Sequence, residues 1–166
     1  MRRNLEIAAL AALALLLFLT ARALYGPGSL AQQIPTHFGI NGQPDAWDSP
    51  RTLWFLPIVA LLLYGLMTVV ARFPSAFNFP VRVTPANRTS LETLALNMIA
   101  WLKVEVISLF CWIQYVTIQA ARNGQGSISP LFMPLTLGIV FATIAWYFVA
   151  MRKAGRRRHD KTGIVG

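Results

Sequence analysis

The chain has 166 residues, of which 55% are hydrophobic and 13% charged, with a net charge of +9 and a mean hydropathy of +0.52. A soluble domain carries about 25% charged residues and a disordered chain is poor in apolar ones, so both classes are excluded. The single cysteine, Cys111, excludes a disulfide-stapled secreted domain. What remains is an integral membrane protein.

The first apolar run predicts a membrane helix over residues 5–24, a length that crosses a bilayer core of about 30 Å. Arg2, Arg3, the apolar run and Ala21-Arg22-Ala23 also fit a secretory signal with a small-residue cleavage site. Arginine inside the triplet argues against cleavage, so an uncleaved span with Arg22 snorkelling outward is expected. The second run, 53–71, is free of charge and closed by Arg72, with Pro57 in its first turns, where proline costs a helix least. The fourth, 130–152, opens with Ser129 as N-cap and Pro130 at the first helical position. It closes with Trp146-Tyr147-Phe148 and then Arg152-Lys153, an aromatic belt followed by a basic flank.

The third segment is longer. Thr89 followed by Glu92 reads as a capping box, and nothing breaks the helix before Asn123-Gly124. Residues 91–122 make about 48 Å of helix, too long for a perpendicular span. Centring the bilayer on Lys103 would bury it with Glu105, at about 2.5–3.5 kcal/mol each. Spanning 104–121 instead covers about 27 Å and leaves both charges near the headgroups. In that register Lys103 is expected to snorkel to lipid phosphate, and Leu91, Leu94, Ala95, Met98 and Leu102 form the apolar face of a cytoplasmic or interfacial extension.

The remaining segments are an outer loop, 25–52, an inner loop, 72–90, and a basic tail, 153–166. With a cytoplasmic N-terminus, the inner side holds Arg2, Arg3, Arg72, Arg82, Arg88 and the six basic residues Arg152, Lys153, Arg156, Arg157, Arg158 and Lys161. The outer side holds Arg22, Arg51 and Arg122. This bias places both termini in the cytoplasm. The six-charge cluster after the last span is expected to meet anionic lipid headgroups at about 1 kcal/mol per charge. Docking to nucleic acid or protein is the alternative, and no nucleic-acid partner is expected.

The outer loop carries the most distinctive string, Ile34-Pro35-Thr36-His37-Phe38 followed by Asn41-Gly42-Gln43-Pro44-Asp45-Ala46-Trp47. Asn41-Gly42 signals a turn between apolar flanks and predicts a short two-stranded or irregular lobe. His37 and Asp45 are expected to pair across that turn and fix the loop. A recognition surface for a peptide or protein is one alternative, and a metal site shared with Asp48 is another, although the spacing matches no known zinc pattern. Together Ile34, Pro35, His37, Phe38, Asn41, Gly42, Pro44, Asp45 and Trp47 are the candidate ligand or partner residues.

Ile34, Pro35, His37, Phe38, Gly42, Pro44, Asp45 and Trp47 resemble the signature of a bacterial membrane family known as domain of unknown function 1648. The likeness covers roughly residues 10–63, and the later run from Phe77 to Arg88 is similar to four-helix members of the same broad group. That domain also forms the N-terminal part of the immunity protein that shields sporulating bacilli from their own killing toxin. The resemblance implies the membrane architecture and the loop. It does not carry immunity over, because this chain lacks that protein's extra helices and has Ser49-Pro50-Arg51 where family members often place a lysine.

On the third helix, Asn97, Trp101, Glu105, Ser108, Trp112, Tyr115 and Gln119 recur at helical spacing as one polar-aromatic stripe. One reading is an interhelical seam held at about 0.6 kcal/mol per bond. The other is the lining of a cavity or pathway with Glu105 as its titratable group. Lys103, two residues from Glu105, does not share its face. No phosphate loop, nucleophile elbow or zinc-protease motif occurs, and the spans share no repeat. Cys111 is expected to pack within its span, and His159 lies in the basic tail.

These features predict an all-α polytopic protein of the bacterial cytoplasmic membrane, with four membrane helices and a structured extracytoplasmic loop between the first two. No catalytic residue, metal or cofactor is expected. The expected role is non-enzymatic, of the immunity or envelope-sensing type, with loop 34–48 as its recognition element. A small transport protein using the Glu105 stripe and a subunit of a membrane complex are the alternatives.

Overall fold

The computed structural model describes residues 1–30, 32–123 and 127–156. Four helices are long and apolar enough to cross a membrane. In chain order the elements are α1 (Arg2–Tyr25), strands β1 (Ile34–Phe38) and β2 (Pro44–Asp48), a 3-10 turn Pro50–Trp54 leading into α2 (Phe55–Val70), a second 3-10 turn Pro74–Ala76, α3 (Arg88–Asn123) and α4 (Phe132–Arg156). The long third helix is the hub, since α1, α2 and α4 all pack against it. Large apolar side chains such as Phe18, Leu62, Leu135 and Phe141 remain exposed around the bundle. In a lipid solvent such faces need no covering, and small residues set how closely helices approach. Ala9 and Ala60 do so here, packing with Leu13, Leu16 and Ile107 where α1, α2 and α3 meet. Cys111 donates its thiol to the Ala12 carbonyl oxygen at 3.0 Å across the same contact.

Helix ends follow their caps. The capping box predicted at Thr89 and Glu92 does not form. Glu92 instead pairs with Arg88 at 2.9 Å, and the Thr89 carbonyl accepts the Thr93 hydroxyl inside the helix. The box sits five residues earlier. Asn87 Oδ1 accepts the Thr84 amide at 2.8 Å while Thr84 Oγ1 accepts the Asn87 amide at 3.3 Å. Pro85 lies in the turn that this pair of bonds closes just before α3, where its missing N–H costs nothing. Before α4 the Ser129 hydroxyl accepts the Leu131 amide at 3.4 Å, but this bond closes the turn ahead of the helix, which starts at Phe132 and not at the expected Pro130.

Beyond the expected end at 152, α4 runs on to Arg156, because the projecting start of α3 offers it an apolar partner. Leu91 and Ala95 bury against Tyr147 and Met151, with Leu94, Met98, Ala154, Phe77, Phe79 and Val81 around them. The apolar face predicted for this extension is therefore covered by protein. Basic residues 157, 158 and 161 of the expected lipid-binding tail, and His159, lie outside the described residues.

Candidate functional site

Strands β1 and β2 pair antiparallel, with Ile34 opposite Asp48 and Phe38 opposite Pro44, and irregular register between Pro35 and Phe38. Local chemistry dictates the turn. Asn41 Oδ1 accepts the Gln43 amide at 3.0 Å, the Gly42 amide donates to the Gly39 carbonyl at 2.8 Å, and Gly42 adopts φ +76°. That left-handed conformation is open to glycine at no steric cost. His37 Nδ1 and Asp45 Oδ1 meet at 2.5 Å across the hairpin, so the expected pair is present. Asp48 Oδ1 accepts the Ser49 amide at 2.6 Å. Among the described residues no three His, Cys, Asp or Glu side chains converge as metal ligands.

Two contacts dock this hairpin on the bundle. Ile34 is buried with Ala23, Leu53 and Ile118, so the base of β1 plugs the gap between α1, α2 and α3. At the tip, the Ile128 amide donates to the Gly42 carbonyl at 2.9 Å. A Cβ at Gly42 would stand 1.7 Å from the Ile128 carbonyl oxygen, so only glycine permits this approach.

The docked hairpin roofs a cleft of about 1090 Å³. Its floor is Ile113, Gln114 and Thr117 of α3, and one wall is the 3-10 turn with the start of α2. Met133 and Pro134 of α4 make the other wall. Ile34, Pro35, His37, Phe38 and Gly42 of the predicted loop residues line it, together with Asp48 and Arg51. Asn41, Pro44, Asp45 and Trp47 do not: Asn41 holds the turn, Asp45 holds His37, Pro44 faces Phe38 across the ladder, and Trp47 is exposed. The volume matches that of small-molecule sites, which reach about 1,000 Å³ with mostly apolar walls and a few fixed polar groups.

Gln114 is such a group. It is 1% exposed, and its Nε2 donates to Thr20 Oγ1 at 2.7 Å and to the Leu53 carbonyl at 2.9 Å. One amide thus ties α1, α3 and the entrance of α2 together beneath the cleft. Gln114→Leu should lower stability by about 1–3 kcal/mol, because it leaves the Leu53 carbonyl without its donor. Equilibrium unfolding in detergent measures this.

At the opposite end of the bundle a second polar constellation replaces the expected lipid contact of Lys103. That expectation is corrected: Lys103 is 1% exposed. Its Nζ bonds Glu6 Oε1 at 2.8 Å, Glu6 Oε2 at 3.0 Å and Thr68 Oγ1 at 2.9 Å. The Tyr64 ring lies 4.6 Å from the ammonium, and the Tyr64 hydroxyl donates to Glu6 Oε2 at 3.1 Å. An ammonium facing inward with a carboxylate and two further partners is satisfied without reaching the headgroups. Four residues from three helices close this network, and sequence reasoning missed Glu6, Tyr64 and Thr68. The available signal was an acid, Glu6, inside an otherwise apolar run.

The predicted stripe lies on a different face of α3 from Lys103 and Gln114. Glu105 Oε1 accepts the Thr143 hydroxyl of α4 at 2.6 Å, while Oε2 is buried with no partner among the described residues. Trp112 packs 6.0 Å from the Phe132 ring of α4 and 6.0 Å from Tyr115, and Gln119 donates to the Tyr115 hydroxyl at 3.0 Å. Asn97 is half-buried, whereas Trp101 and Ser108 are exposed. Ser108, Trp112 and Tyr115 line a shallow groove against α1 of about 470 Å³. Glu105 lines neither this groove nor the cleft under the hairpin.

A mostly helical chain with four membrane-length helices is a multi-pass membrane protein. Residues 9–61 match the family model described as Domain of unknown function (DUF1648), the family its loop resembles. The match runs from α1 through the hairpin into α2, the elements that build the roof and one wall of the cleft. A protein of Archaeoglobus fulgidus described as an uncharacterized protein is 23% identical over 134 residues, covering 72% of this chain and 72% of its own. No solved structure matches.

Proposed function

We propose that this protein is a non-enzymatic binding protein of the bacterial cytoplasmic membrane, of the immunity or envelope-sensing type. Its recognition site is the cleft under the hairpin, facing the outside. The observation that carries the reading is the way the cleft is built. A roof pinned at both ends by Ile34 and Gly42 covers apolar walls, and a buried amide braces its floor. Preformed concave sites of this kind are the default places for ligands. The basic residues support the orientation. Arg22, Arg51 and Arg122 lie at the hairpin end, while Arg2, Arg3, Arg72, Arg82 and Arg88 lie at the other, the asymmetry that keeps the richer end cytoplasmic. Retention of α1 is supported by Glu6, since its removal would leave Lys103 buried without a counter-charge.

A photo-crosslinking residue at Met133, inside the cleft, tests this reading in living cells. It should capture a species enriched over the bulk lipid that the same residue captures at Leu62, on the exposed face of α2. Identical capture at both positions would refute the cleft as a ligand site.

A further inference from the structure

We infer that the cleft holds a zwitterionic phospholipid with a primary ammonium, its acyl chain inside and its headgroup across Arg51 and Asp48. This rests on the cleft being a ligand site. Phe55, Ile58 and Met133 line the cleft yet are themselves well exposed. It therefore opens sideways between α2 and α4, into the space lipid occupies around a membrane bundle. An apolar chain enters there without crossing water, and the walls that receive it are apolar.

The charges at the roof select the headgroup. Arg51, on the 3-10 turn, and Asp48, at the end of β2, both line the cleft and are both exposed. The described ion pairs join His37 with Asp45, Arg88 with Glu92 and Lys103 with Glu6, so neither Arg51 nor Asp48 has a counter-charge among the described residues, and Asp48 uses one carboxylate oxygen on the Ser49 amide. His37 Nδ1 is engaged by Asp45. A guanidinium offers a planar fork that matches phosphate, and a carboxylate accepts hydrogen bonds from an ammonium. One positive and one negative group lining the same cleft complement a headgroup with a phosphate and an N–H cation. A purely anionic headgroup would meet Asp48 as a like charge, and a quaternary ammonium brings no N–H for it.

Native mass spectrometry of the delipidated full-length protein with equimolar phosphatidylethanolamine, phosphatidylglycerol and phosphatidylcholine tests the inference. Phosphatidylethanolamine should be retained about fivefold over each of the others, the ratio expected of one added charge pair. Asp48→Asn should abolish its advantage over phosphatidylglycerol, and Arg51→Gln should weaken retention of all three. Both side chains are exposed, and unchanged circular dichroism would show that the variants fold. Equal retention, or preference for phosphatidylglycerol, overturns the inference. If the Met133 crosslinker captures a peptide and no phospholipid, the cleft stands as a ligand site and the lipid assignment falls. If it captures nothing beyond the Leu62 control, both fall.

Discussion

Replacing Glu6 with leucine should cost about 3–5 kcal/mol of stability, the largest effect expected of any single substitution in this chain. The variant strands the Lys103 ammonium, which is 1% exposed, with one hydroxyl and an aromatic face in place of a carboxylate. The reverse variant, Lys103→Met, should cost much less. Its stranded partner, the Glu6 side chain, is 33% exposed and keeps the Tyr64 hydroxyl as donor, so water restores much of its solvation. The double variant Glu6→Leu/Lys103→Met should return to within about 1 kcal/mol of the native protein, as apolar replacement of a buried pair commonly does. Equilibrium unfolding of all four proteins gives the coupling between the sites. Additive losses would mean that the two groups do not act as a pair.

Gly42→Ala should release the hairpin while leaving the helices in place. The left-handed conformation alone costs a non-glycine residue about 1–2 kcal/mol. The new methyl would also lie 1.7 Å from the Ile128 carbonyl oxygen, a backbone atom that cannot rotate aside. The bond from the Ile128 amide to the Gly42 carbonyl then breaks, and the cleft loses its roof at that end. Amide exchange at Gly39, whose N–H donates to the Gln43 carbonyl at 2.8 Å, should accelerate about tenfold or more, as local opening becomes cheaper. Far-ultraviolet circular dichroism should not change. Unaltered exchange at Gly39 would show that the tip is not held by this contact.

What the sequence made legible was local. Apolar run length sets the spans, Asn41-Gly42 sets the turn, and His37 lies eight residues from Asp45 on the facing strand, so all three are short-range inferences. The capping box was misplaced by five residues because Thr89 with Glu92 and Thr84 with Asn87 share the same three-residue spacing. Pro85 decided between them. The stripe expected on α3 does meet α4, through Glu105 and Trp112, but a second polar face that bonds α1 and α2 went unread, because Glu105 and the tryptophans dominate one stripe. Lys103 and Gln114 sit among aliphatic neighbours on the other. Their partners are remote in the chain, Glu6 by 97 residues and Thr20 by 94, so no spacing rule reaches them. The lipid fate expected of Lys103 followed from treating helix three alone. Only the packed bundle supplies the carboxylate. The cleft was equally invisible, being enclosed by segments that come together only when α3 gathers the other helices.

Site-directed labelling with a membrane-impermeant maleimide tests the central claim most directly, that this bundle crosses the membrane four times with its hairpin and cleft outside. In a Cys111→Ser background, one cysteine replaces Ile40, which is fully exposed at the hairpin tip, and another replaces exposed Ser75 in the segment between α2 and α3. Intact cells should label position 40 at once and position 75 only after permeabilisation. Labelling of position 75 from outside, with position 40 protected until lysis, would contradict the account.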